Sequence, residues 1–154
     1  MSEFKEFDEL DRRIIEQLSI SSEGSFRQIA KGLGVHPTTL IQRVKNLEKK
    51  GVITGTRAKI DYMKLGFEYT GIIQVYVEGS IDDINDRITE LPQVMAVFYV
   101  TGECDIVAWI ACKDREEFSG TVKAIMAIDG VKKTNTSVIM EMLKDPLDFV
   151  PEIV

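Results

Sequence analysis

The residues best suited to chemistry lie in a polar and basic stretch between residues 37 and 50. Two hydroxyls, two amides and a guanidinium stand near the start of a predicted helix, at Thr38, Thr39, Gln42, Asn46 and Arg43. Side chains of these types hydrogen-bond to base edges in the major groove of duplex DNA and to its phosphates. The lysines of the same stretch, which are more typical of phosphate contacts, are Lys45, Lys49 and Lys50.

The charge distribution separates this region from the rest of the chain. The 154 residues carry a net charge of −6, yet residues 25–64 contain nine basic and two acidic side chains, a local charge of +7. A basic region on an acidic protein is typical of a surface that binds a polyanion. Two other interpretations stay open, namely a basic face that only meets water and a three-helix module that docks a protein.

Helix signals place the polar stretch in a helix-turn-helix. Asp8 is the predicted cap of a first helix, and residues 25–28 (Ser-Phe-Arg-Gln) form a capping box that begins a second. Gly34 ends the second helix, and Pro37 suits the first position of a third. The buried side of this third helix is predicted from an apolar stripe at helical spacing: Leu40, Val44 and Leu47.

A strand-like segment at residues 52–60 follows the third helix. Its alternation puts Arg57 and Lys59 on one side, as a basic wing of a winged helix-turn-helix would require. The candidate DNA-binding residues are Arg27, Pro37, Thr38, Thr39, Gln42, Arg43, Lys45, Asn46, Lys49, Arg57 and Lys59.

The remaining two-thirds of the chain predict a sheet with two helices. The strand patterns cover Glu68–Glu78, Val94–Thr101, Asp105–Cys112 and Thr134–Leu143. Helical patterns separate the first strand from the second and the third from the fourth. The order β-α-β-β-α-β is the ferredoxin-like arrangement, so the chain is expected to be α+β. We expect a winged helix-turn-helix domain at 1–60, a linker at 61–68 and a ferredoxin-like domain at 69–154.

The predicted sheet is apolar on both faces. In the strand from Val94 and in the strand from Asp105, both alternating sets of residues are largely apolar. Two helices cover only one face, and an uncovered face would be polar if it met water. A partner subunit is one expected cover, and the C-terminal tail folding back is the other. A two-fold dimer would also pair two helix-turn-helix units for a palindromic site.

Three motifs extend through both predicted domains. They are Leu33-Gly34-Val35-His36-Pro37-Thr38-Thr39, the run from Arg43 to Gly55 with the pattern R-V-x-x-L-E-x-x-G-V-I-x-G, and the turn Gly102-Glu103-Cys104-Asp105. With these motifs the whole chain resembles transcription regulators of the Lrp/AsnC (feast/famine) family. The chain departs from the family pattern at His36, where serine is common, and at Thr56, where an aromatic residue is frequent.

The resemblance implies a sequence-specific DNA-binding regulator whose dimers assemble further into tetramers or octamers. It also implies a small effector, such as a free amino acid, bound between dimers by the ferredoxin-like (RAM) domain. Asp105 would hold an α-ammonium group, and Gly102 would let the backbone approach the ligand. The effector-binding candidates are Tyr99, Gly102, Glu103, Cys104, Asp105, Thr134, Thr136 and Ser137. A glycine turn and a threonine-rich strand are also ordinary features of sheets, so this site remains open.

Two alternatives accompany the regulator. Sirohaem decarboxylases share the two-domain plan, but that group relies on histidines in the sheet domain, and the single histidine here, His36, precedes the third helix of the helix-turn-helix. The sequence contains no nucleotide-binding, nucleophile or metal-ligand motif, so we expect no enzymatic activity, no cofactor and no metal. The second alternative is an effector-independent, chromatin-like DNA-binding protein.

The sequence also predicts a cytoplasmic protein with no membrane partner. The apolar run Val94–Val100, which no other run exceeds, is far too short to span a bilayer, and the first residues lack the apolar core of a signal peptide. Two cysteines cannot form a disulfide framework, which is consistent with a reducing compartment.

Overall fold

A computed structural model describes residues 7–20, 25–55 and 57–151. The chain divides into two compact units, one formed by residues 1–60 with 143–154 and the other by residues 61–142. Residues 143–151, the described part of the C-terminal tail, therefore group with the first unit, whereas the sequence predicts them in the second domain. An ion pair between Asp148 of the tail and Lys59 accounts for part of this difference. No helix in the described part of the chain could cross a membrane.

Three helices form the first unit. They are α1 (Glu9–Ile20), α2 (Phe26–Leu33) and α3 (Pro37–Lys49). Their shared core consists of buried apolar side chains, which are Ile14, Ile29, Ala30, Leu33, Leu40, Val44 and Leu47. The three α3 residues among them form the predicted stripe, so the sequence correctly identified the side of α3 that packs inward.

Short polar side chains fix where these helices begin. The Asp8 carboxylate accepts the backbone N–H of Asp11 at 2.9 Å. Ser25 and Gln28 form the predicted capping box, in which each side chain accepts the other residue's backbone N–H. Gly34, with φ of 70°, takes the left-handed conformation that lets α3 follow α2 after a tight turn.

The segment after α3 differs from the prediction. Residues 52–55 and 57–60 form no strand, so the expected wing strand at 52–60 is wrong for the residues that the structure describes. A β-strand needs a hydrogen-bonded neighbour, and the described part of the first unit offers none. Alternating apolar and polar residues are thus not sufficient here.

The second unit is a four-stranded antiparallel sheet with two helices. Its elements are β1 (Tyr69–Val77), α4 (Ile81–Thr89), β2 (Val94–Tyr99), β3 (Ile106–Cys112), α5 (Arg115–Met126) and β4 (Val131–Val138). The strand order is β2-β3-β1-β4, as the ferredoxin-like prediction requires. The fourth strand lies earlier than the predicted Thr134–Leu143. Its apolar pattern continues past the last residue that pairs with β1.

Both helices of this unit pack on one face of the sheet. The core formed there contains Ile73, Val75, Ile84, Ile88, Ile106, Ala108, Ile110, Cys112 and Ile125. The Phe118 ring of α5 lies directly on β1 at Gly71. A Cβ atom at Gly71 would lie 2.7 Å from that ring and 2.9 Å from the carbonyl oxygen of Ser137, so only glycine fits without displacement.

The opposite face of the sheet is apolar towards the β2 edge and polar towards the β4 edge. Phe98 of β2 pairs with Val107 of β3, and Ile72 of β1 pairs with Trp109 of β3. Phe98 is 51% exposed, so this apolar half is open in the single chain. On the β1–β4 side, the Asn135 amide donates to the Gln74 amide oxygen, Lys133 lies over the Tyr76 ring, and Ser137 is exposed.

Candidate functional site

One side of α3 carries a stripe of polar and basic side chains. Thr38, Gln42, Lys45 and Lys49 are all exposed and lie on the side of the helix away from its buried residues. Residues at the start of such a helix reach base edges when it lies in the major groove, and residues further along meet phosphates. This stripe therefore has side chains suited to contacts with base edges and with phosphates of duplex DNA.

His36 shapes the start of α3. Its Nδ1 atom accepts the backbone N–H of Thr38 at 3.3 Å and lies 2.9 Å from the Thr38 hydroxyl oxygen. Pro37 then occupies the first helical position. The single histidine thus fills the capping role of the serine or aspartate that is commoner there.

The Arg43 guanidinium pairs with two carboxylates near the start of α1. Its Nη1 atom lies 2.5 Å from Asp8 Oδ2 and 3.0 Å from Asp11 Oδ1, so it ties α3 to the start of α1. The Arg43 side chain is 35% exposed and that of Asp11 only 11%. These hydrogen bonds raise the pKa of Arg43, and the pKa of Asp8 is lowered by the Asp11 backbone N–H and by Arg43. Arg43 thus connects α3 to α1, and its contact with DNA stays a prediction.

Asp8 and Asp11 were not among the predicted site residues. The sequence predicts Asp8 only as a helix cap, and the structure confirms that role. The sequence contains no local sign of the contact with Arg43, because 32 and 35 residues separate the partners.

The other basic candidates lie around the stripe. Arg27 on α2 and Asn46 and Thr39 on α3 are exposed, and Arg57 is exposed beyond the helix. Lys59 is exposed too, but its Nζ lies 2.5 Å from Asp148 and 4.0 Å from Asp145 of the tail. The hydrogen bond to Asp148 raises the pKa of Lys59. Lys59 is therefore already paired with carboxylates.

A cleft in the first unit lies beside this pair. It has a volume of about 450 Å³ and is lined by the end of α1, by Arg57 and Lys59, and by residues 146–150 of the tail. None of the predicted effector-binding residues lines it.

The predicted effector site lies at one end of the sheet, where Asp105 joins β3 to β1. The Asp105 Oδ2 atom accepts the Val77 backbone N–H at 2.8 Å, and the Asp105 backbone N–H donates to the Val75 carbonyl at 3.1 Å. These bonds hold the carboxyl group rigidly beside the turn that contains Gly102, whose φ is 136°. Glu103 is exposed, whereas Cys104 is buried and only 8% exposed.

The remaining effector candidates are only partly brought together. Tyr99, which is 69% exposed, pairs with Ile106 at the same end of the sheet as Asp105, and Thr134 pairs with Val75 there. Thr136 lies two residues further along β4, and Ser137 points to the opposite face. Tyr99 and Thr134 therefore share an end of the sheet with Asp105, but they lie on its two opposite edge strands, and Ser137 lies on the other face.

Comparison with known proteins identifies the family. Residues 7–48 match the model of the AsnC-type helix-turn-helix domain, and residues 70–148 match that of the Lrp/AsnC ligand binding domain. The chain belongs to the Lrp/AsnC family of transcription regulators. The predicted family, the α+β fold and the DNA-binding regulatory function are thereby confirmed.

Relatives match this Lrp/AsnC protein along almost its whole length. An uncharacterised HTH-type transcriptional regulator of Pyrococcus abyssi is 41% identical over 145 residues, which cover 94% of this chain and 99% of the relative. The HTH-type transcriptional regulator FL11 of Pyrococcus horikoshii is 30% identical, with 92% and 95% covered.

Solved structures share the fold. AsnC of E. coli superposes with a TM-score of 0.80 at 25% identity, covering 90% of this chain and 95% of AsnC. A transcriptional regulator of Neisseria meningitidis, solved as a complex with L-Met, gives a TM-score of 0.82 at 20% identity, covering 90% and 93%. The latter likeness concerns the fold alone.

Proposed function

We propose that this regulator reads duplex DNA with the exposed stripe of α3 and that Arg27, Asn46 and Arg57 add contacts around it. The observation that carries the proposal is the clean division of α3, whose apolar side is buried while Thr38, Gln42 and Lys45 face outward. The +7 charge of residues 25–64 supports it, since a basic segment attracts phosphates.

The test is DNA binding by substituted proteins at several salt concentrations. We expect Gln42→Ala to relax the sequence preference found by selection from a random duplex pool. Lys45→Ala should weaken binding to all sequences and lower the salt slope by about one unit. Binding that is unchanged by both substitutions at fixed salt would show that the stripe is misassigned.

We further propose that the regulator works as a homodimer that covers the open face of the sheet. Phe98 is exposed on that face beside the half-buried Trp109 and Ile72, and a second copy offers an equivalent surface. Such dimers would assemble further into tetramers or octamers. We expect Phe98→Asp to shift the sedimentation profile towards single subunits, while Met126→Asp, a matched change of an exposed apolar residue on α5, leaves it unchanged.

A small effector, such as an amino acid bound between dimers, is proposed to modulate DNA binding through the Asp105 end of the sheet. The family description of residues 70–148 as a ligand binding domain supports this, as does the fixed position of Asp105. The L-Met complex of the Neisseria meningitidis protein makes methionine one of the twenty amino acids to test first. A ligand that binds the native form raises its melting temperature. If none of the twenty does so, an amino-acid effector is excluded.

Because the family is one of transcription regulators, we propose that the chain is not an enzyme. We also propose that it acts in the cytoplasm. The alternative of an effector-independent, chromatin-like protein is not favoured, because the relatives are named as transcription regulators. It predicts little sequence enrichment in the random-pool selection, so the same experiment distinguishes it.

A further inference from the structure

The contact of Arg43 with α1 occupies part of one flank of α3. Arg43 follows the buried Leu40 by three residues and lies on the flank that Asp8 and Asp11 occupy. The side of α3 that is turned away from Arg43 takes no part in this contact. The residues on that side have the spacing i, i+3, i+4 and i+7, which places them on one helix face: Thr38, Ile41, Gln42 and Lys45.

Ile41 is the apolar member of this face. It is 40% exposed and does not belong to the buried core of the first unit or to the partly buried residues packed against that core. Its neighbours along the face, Thr38 one turn before and Lys45 one turn after, are polar and exposed. The exposed part of Ile41 is therefore an apolar area on an otherwise polar face.

The chemistry of the major groove supplies a partner for such a side chain. Base edges there present hydrogen-bond donors and acceptors, and the apolar group among them is the C5-methyl of thymine. We propose that Ile41 packs against a thymine methyl group and so selects thymine at one position of each half-site. This inference rests on the proposed DNA contacts of α3 and adds the base that one of its residues selects.

Replacing thymine by deoxyuridine removes the methyl group and nothing else. The preferred duplex is first selected from a random pool with the wild-type protein, and each thymine of one half-site is then replaced singly by deoxyuridine. We expect one replacement to weaken wild-type binding about four-fold, the factor that corresponds to one buried methyl group. The other replacements should have little effect.

Two variants show whether Ile41 is responsible. Ile41→Ala should bind the thymine and deoxyuridine duplexes equally well, because it no longer contacts the methyl group. Ile20→Ala removes another exposed isoleucine, at the end of α1, and should keep the four-fold difference. Circular dichroism of both variants should match that of the wild-type protein, because both positions are exposed.

The outcomes separate this inference from the proposed function. If the wild-type protein selects no sequence, both are overturned. If it selects a site but no thymine responds to deoxyuridine, or if the response persists in Ile41→Ala, the DNA contacts of α3 stand and the role of Ile41 is overturned.

Discussion

Replacing Arg43 by alanine should weaken the first unit itself and not only its contact with DNA. The guanidinium connects α3 to Asp8 and Asp11 of α1, and its removal leaves the Asp11 carboxylate, whose side chain is 11% exposed, without a cation. Breaking a fully buried pair costs about 3–5 kcal/mol and breaking an exposed pair about 0.2–1 kcal/mol. Because Arg43 is 35% exposed, we expect a loss of about 1–2 kcal/mol for its pair with Asp11.

Urea denaturation of the full chain measures this loss with two signals. Far-ultraviolet circular dichroism reports on all five described α-helices, and α1, α2 and α3 contribute 33 of their 54 residues, so unfolding of the first unit changes most of this signal. The fluorescence of the single tryptophan, Trp109 on β3, reports on the second unit. We expect the dichroism midpoint to fall by about 1 M urea in Arg43→Ala while the fluorescence midpoint stays in place. Lys49→Ala is the matched control, because it removes one positive charge from α3 at an exposed position and should change stability by less than about 0.5 kcal/mol.

The same contact gives a pH dependence of known sign. The pKa of Asp8 is lowered in the folded chain, first by the Asp11 backbone N–H and then by Arg43. A carboxylate whose pKa is lowered by folding stabilises the folded chain at pH values above its unfolded pKa of about 4. This contribution is lost as the pH falls through the folded pKa. The dichroism midpoint should therefore fall less on acidification in Arg43→Ala than in the wild-type protein. An unchanged midpoint in Arg43→Ala at neutral pH, together with weakened DNA binding, would refute the structural role of Arg43.

Three further predictions concern other contacts. Gly71→Ala should cost about 1–3 kcal/mol in the fluorescence-monitored transition, because its Cβ would overlap the Phe118 ring. The pKa of Glu117 is lowered, mainly by a hydrogen bond from the Gln93 amide. The second unit should therefore lose stability as the pH falls from about 5 to about 3, and this loss should be smaller in Glu117→Gln than in the wild-type protein. Asp148→Asn should strengthen binding to random duplex DNA at low salt about two-fold by releasing Lys59, and equal affinity would mean that the pair does not compete with phosphate.

Short sequence motifs correctly predicted where helices begin. The capping box at residues 25–28 and Pro37 begin their helices as expected, because a cap satisfies backbone groups of its own helix and needs no distant partner. The segment at residues 52–60 failed for the opposite reason. A strand exists only when a second strand pairs with it, and alternation alone does not supply one. The end of β4 was misplaced similarly, since its pairing with β1 stops before its apolar pattern does.

The sequence predicted the residue types of the candidate site but not which of its cations pair with carboxylates of the same chain. A basic residue on a helix next to a buried stripe can face DNA or a neighbouring helix, and helical spacing does not separate the two. Arg43 and Lys59 looked equivalent to Lys45, yet the folded chain brings Asp11 and Asp148 to the first two. The local charge of +7 therefore includes two cations that pair with carboxylates of the same chain. Helical spacing alone did not predict the contact of Arg43 with Asp11, because the two residues lie far apart in the sequence.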